Sequence, residues 1–133
     1  SLSNNLGWTL TERGDFQGAL ESFQIALLAR EEQGDARSIQ IAKYAVGHAL
    51  RKLGKVSQAL ELQETLQREI EASGHFDGYV LEEIAECMHL LGDERAARYF
   101  SRAHAQLIQD TWLCENEPAR LARILDLSDS ASA

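Results

Sequence analysis

The sequence predicts an all-α fold of paired helices, on three observations: a helix-forming composition, a glycine period of about forty residues, and apolar residues at helical spacing between the glycines. Ala and Leu recur throughout, Glu, Gln and Arg fill the gaps, and Pro occurs once. That mixture suits long helices and not strands. A chain of 133 residues fits one domain and is long enough to bury a core.

Gly7 and Gly47, Gly14 and Gly54, and Gly34 and Gly74 are each 40 residues apart, and Gly92 follows Gly54 by 38. Three families of glycines therefore share one period. Helices are predicted near 2–13, 16–33, 36–53, 56–73, 78–91 and 94–109. The second carries Phe16, Leu20, Phe23 and Leu27 on one face, and the third Ile39, Ala42, Val46, Ala49 and Leu53. Val56, Ala59, Leu60, Leu66 and Ile70 continue the series in the fourth. Leu81, Ile84, Met88 and Leu91 mark the fifth, and Ala96, Phe100, Ala103 and Leu107 the sixth. Six amphipathic segments thus form three pairs, with repeats at about 1–34, 35–75 and 76–110.

The turns carry matching chemistry. Gly14 can close one helix in the left-handed conformation while the Asp15 carboxylate caps the next, and Gly92-Asp93 is expected to repeat the device. Gly34-Asp35 is read as a longer junction between pairs, with Gly74 and Asp77 serving one period later. A seventh helix is expected over about 116–127, capped by Asn116 with Pro118 in its first turn, where a missing N–H costs little. Its stripe of Pro118, Leu121, Ala122 and Leu125 suits it to cover the end of the last hairpin. Trp112 is expected to be buried and to anchor that cap, so that its removal would cost roughly 3 to 5 kcal/mol. The tail 128–133 is small, polar and expected to be disordered.

The first helix is short, about 12 residues against about 18 for its counterpart one period on. With no initiator Met, the chain reads as a C-terminal piece of a longer protein, and the apolar face left bare at its start could pair with a second copy.

These residues resemble the tetratricopeptide repeat, a helix-turn-helix unit with Leu-Gly in its first helix, a Gly-Asp-aromatic turn, and Ala, an aromatic and Ala in its second. Leu6-Gly7, Leu10, Gly14-Asp15-Phe16, Ala19-Leu20, Phe23 and Ala26-Leu27 fall at that spacing. The second period keeps Val46-Gly47, Leu50, Gly54, Val56, Ala59-Leu60 and Leu66, with Gln63 where the aromatic belongs. The third keeps Ile84-Ala85, Met88, Gly92-Asp93 and Ala97, with Phe100 one residue early. The period exceeds the family's usual 34 or so and the closing Pro is absent, which implies extended repeats. The resemblance spans about residues 2–110. It implies a right-handed α-solenoid of three such hairpins plus a C-terminal capping helix.

In that family the first helices of successive pairs line a concave groove that receives an extended peptide or a partner helix. Carried across by position, the groove residues are Asn4, Trp8, Thr11 and Glu12, then Tyr44, His48, Arg51 and Lys52, then Glu82, Glu86 and His89. Trp8 and Tyr44 stand out, because aromatic side chains give large contact area at low entropic cost. Arg51 and Lys52, with Lys55, form a local basic cluster that either receives a carboxylate or balances a helix C-terminus, and the helix-end reading is favoured. Some chaperone-binding members clamp a C-terminal carboxylate with Lys and Asn. Here Asn4 stands where the first clamp Lys belongs and Trp8 where an Asn does, so chaperone tails are not the expected ligand.

A net charge of -8 and a pI near 4.9 exclude the basic stripe that phosphate backbones require, so nucleic acid is not an expected partner. No segment approaches the roughly 20 apolar residues of a membrane span, and Cys87 and Cys114 lack any ligand or disulfide spacing, which together suggest a soluble cytoplasmic protein. Glu86 and His89 make a Glu-x-x-His step, with Glu82 and Glu83 one turn earlier. A helical di-iron site needs a second such step, and His48, His75 and His104 lack the matching Glu. Cys87 and His89, two apart on a helix, face different ways and make no nucleophile-base pair. No phosphate loop or nucleophile elbow occurs. The sequence therefore points to a protein-interaction module without catalysis, metal or cofactor, its rival being a sensory or self-association segment of a larger bacterial-type regulator.

Overall fold

Helix ends are set locally here, by left-handed glycines and acidic caps, and they appear where the sequence puts them. The computed structural model describes residues 2–129, with side chains from residue 5 onward. Among the described residues the chain is all-helical and has no strand. The helices are α1 (Leu2–Glu12), α2 (Phe16–Gln33), α3 (Ala36–Lys52), α4 (Val56–Ala72), α5 (Gly78–Leu90), α6 (Ala96–Leu107), α7 (Thr111–Asn116) and α8 (Pro118–Asp126). The first six lie within two residues of their expected ends.

Gly14, Gly54 and Gly92 have φ of 81°, 84° and 71°, and in each case the next residue donates its N–H to the carbonyl five residues back. Those bonds, Asp15 to Leu10, Lys55 to Leu50 and Asp93 to Met88, are all 2.9 Å. The shared geometry satisfies a carbonyl left open at the helix end, and it makes the sequence period a structural one. Asp15 then caps α2 through the Gly18 N–H, and Asp35 caps α3 through Ser38. Asp77 caps α5 through Tyr79 and Val80. Two expectations are corrected. Gly34-Asp35 is as tight a turn as Gly14-Asp15 and is not a longer junction. Asp93 does not cap α6, because its carboxylate is taken by the Arg95 N–H and guanidinium, which hold it below the usual carboxylate range.

The chain forms two compact units, Ser1–Leu62 and Gln63–Ala133, with the boundary inside α4. In the first, α2 packs against both α1 and α3. Ala19, Leu20 and Phe23 meet Ala45, Val46 and Ala49 in its core, and Trp8, Leu10, Leu27, Leu50 and Leu53 pack around them. Small residues bring the helices together so that one ring, Phe23, fills the space between them. Gln63, the counterpart of Phe23 one period on, is likewise fully buried.

In the second unit α5 pairs with α6, and α8 lies against α6. Val80, Leu81, Ile84, Ala85, Ala103 and Leu107 are buried, and so is Phe100 despite its early register. The expected seventh helix is α8, and an unexpected short helix, α7, precedes it. Asn116 does not cap α8; its amide donates to the Trp112 carbonyl and closes α7. Pro118 opens α8 at the first turn, as expected. Trp112 is 61% exposed, so the expected anchor is wrong, and the buried residue is its neighbour Leu113. The apolar stripe of α8 is Leu121 and Ile124, while Ala122 and Leu125 face out, because the helix is rotated to bring Arg120 and Arg123 onto α5. Ser128 is buried and Asp129 donates its N–H to Ser101, so the expected disordered tail is ordered there; 130–133 lie outside the described residues.

Candidate functional site

The groove positions of the first unit depend on α1 and α3 lying on either side of α2. Trp8 leans on the buried Phe23 ring edge-on at 4.8 Å between centroids. On its other side it meets His48 at 5.2 Å and Tyr44 at 6.3 Å, and Tyr44 and His48 lie 6.4 Å apart on successive turns of α3. Trp8, Tyr44 and His48 are half-buried. Trp8 is held by core packing, and Tyr44 and His48 are arranged around it, which positions the rings before any partner arrives.

The other first-unit positions are more loosely joined to this cluster. Thr11 donates its hydroxyl back to the Gly7 carbonyl, and Glu12 is exposed. Lys52 sits 6.0 Å above the Phe16 ring, and with Arg51 it occupies the last turn of α3, where cations favour the helix C-terminus. The side chain of Asn4 lies outside the described residues.

In the second unit Glu82 and Glu86 are already engaged. Arg120 of α8 grips Glu82 with two hydrogen bonds, Nε to Oε2 at 2.8 Å and Nη2 to Oε1 at 2.5 Å, and reaches Glu117 with its third nitrogen at 2.8 Å. Arg123 grips Glu86 in the same two-pronged way. The Arg120 guanidinium also lies 5.6 Å from the centroid of the Tyr79 ring. Tyr79 donates its hydroxyl to Asp110 at 2.5 Å; its own burial and then this bond push the phenol well above its usual range, while the same bond and the Leu113 N–H hold Asp110 low. His89 is exposed with its ring edge-on to Phe100 at 6.0 Å.

The positions carried over thus fall into two sets: a ring cluster in the first unit, and in the second an acidic pair covered by the chain's own last helix. The residues that sequence reasoning missed are Tyr79, Arg120 and Arg123. Their signal was present as two arginines three apart on one helix and two glutamates four apart on another, spacings that put each pair on one face. Neither Cys87 nor Cys114 is in a disulfide; the first is buried and the second exposed. Among the described residues no group of three His, Cys, Asp or Glu side chains is placed to hold a metal, and no helix is long and apolar enough to cross a membrane. Compared with known proteins, the chain matches no family model, no curated protein and no solved structure.

Proposed function

We propose that the chain is a tetratricopeptide-like α-solenoid module that binds a peptide segment or helix of another protein, with Trp8, Tyr44 and His48 as its contact surface. The observation that carries this reading is the half-buried ring cluster, anchored on Phe23 through Trp8. Rings fixed from below lose little freedom on binding, which is the property of an interface anchor. The acidic net charge disfavours nucleic acid as the partner.

Selection of peptides from a displayed library against the purified chain tests the reading. Binding of the selected peptides should fall at least about tenfold, or 1.4 kcal/mol, in Trp8→Ala and Tyr44→Ala at unchanged helix content. Equal binding by both variants would sink it. Self-association is the second reading, favoured by Ile25 and Leu28, 59% and 64% exposed three residues apart on α2. A sedimentation profile that remains monomeric at high concentration would remove that alternative.

A further inference from the structure

Helix α8 has features of a bound ligand that happens to be covalently attached. It spans nine residues, too few to be stable alone, and only Leu121 and Ile124 of its side chains are buried. Its polar hold is concentrated in two guanidinium-carboxylate pairs, Arg120 with Glu82 and Arg123 with Glu86. The chain breaks just before it at Glu117, whose side chain makes no capping bond. The acceptors differ from the donors in exposure: Glu82 and Glu86 side chains are 7% and 13% exposed, Arg120 and Arg123 30% and 51%. The acidic side belongs to α5, a helix mostly buried and packed along α6, while the basic side belongs to a short helix with two buried side chains.

We propose that the Glu82/Glu86 face of α5, with the adjoining surface of α6, is a receptor for a cationic amphipathic helix, and that α8 is its resident occupant, displaced when a partner helix of the same chemistry arrives. That partner carries two arginines three residues apart, beside an apolar pair in the register of Leu121 and Ile124. Charge complementarity selects it, since each arginine must meet a carboxylate in two-pronged geometry and a lysine cannot. Because α8 itself buries only two apolar side chains, with buried Ser128 and the Asp129 N–H bond to Ser101 just beyond it, the cover opens locally at lower cost than the core helices do. This inference concerns the second unit only, and it stands or falls apart from the ring cluster of the first.

The test uses the full chain and a fluorescent synthetic peptide of residues 111–129 carrying C114S. The peptide should bind the R120Q/R123Q chain about tenfold or more tighter than the wild-type chain, because a resident occupant lowers apparent affinity by the fraction of faces that are closed. A peptide carrying R120Q and R123Q should bind neither chain. A chain with Glu82→Arg and Glu86→Arg should regain binding with a peptide in which both arginines are glutamate. Should R120Q/R123Q fail to fold, the wild-type chain decides: excess peptide must speed amide exchange over 118–126 while α5 and α6 stay protected. Equal affinity for both chains, equal binding of the neutral peptide, or unchanged exchange would overturn the proposal. So would a wild-type dimer that exchanges α8, which would make the occupant a second copy.

Discussion

Gly7 faces the Phe23 ring so closely that a Cβ on it would stand 2.5 Å from Cδ1 and 2.9 Å from Cζ, and nearer still to Cε1. The missing side chain is what lets α1 settle on α2 with Trp8 turned toward α3. Gly7→Ala must push the ring or separate the helices, and about 1 to 3 kcal/mol of stability should be lost. Chemical denaturation of Gly7→Ala against wild type checks this. A loss below about 0.5 kcal/mol would mean that Phe23 can move aside freely. The same variant should weaken peptide binding, since Trp8 is one residue away.

Leu113 and Trp112 are adjacent, yet the first is fully buried and the second mostly exposed. Leu113→Ala should cost about 2 to 5 kcal/mol through the cavity it leaves. Trp112→Ala should change stability by no more than about 0.5 kcal/mol. Thermal unfolding of the two variants side by side gives the order; the reverse order would contradict the placement of α7.

Asp110 ties α5 to α7 by accepting the Tyr79 hydroxyl and the Leu113 N–H. Both bonds favour its ionised form, so its folded-state pKa lies below the unfolded value of about 3.9. Its contribution to stability is then complete above pH of about 4 and is lost as pH falls through the folded value. Tyr79 has the opposite sign: its folded pKa is raised, so its contribution is present below about pH 10 and is lost as pH rises further. The melting-temperature gap between wild type and Asp110→Asn should therefore be widest near neutral pH and close on acidification below about pH 4. A gap that is constant down to about pH 2 would show that Asp110 does not work through its charge.

Gln67 is 4% exposed, and neither its carbonyl nor its amide nitrogen meets a polar partner among the described residues. Burying an amide without hydrogen bonds costs about 1 to 3 kcal/mol. Gln67→Met, close in volume, should stabilise the chain by a similar amount, measured by urea denaturation. A loss of stability would mean that the amide is satisfied in solution.

The sequence by itself determined the first six helices and most of their ends. Glycine at a left-handed position and aspartate at a cap act within five residues of chain, so Gly14, Asp15, Gly34, Asp35 and Asp77 could be read without knowing what lies across the core. Residues at one helical period also gave most of each buried face. Tertiary structure decided what no local rule reaches. It turned α8 so that Arg120 and Arg123 meet Glu82 and Glu86, which buried Ile124 in place of Leu125. It chose Leu113 over the larger Trp112, and it gathered Phe23, Tyr44 and His48 around Trp8. Each of those outcomes depends on which faces meet across tens of residues of sequence, a matter settled by packing volume and charge pairing and not by the preference of any residue for a helix.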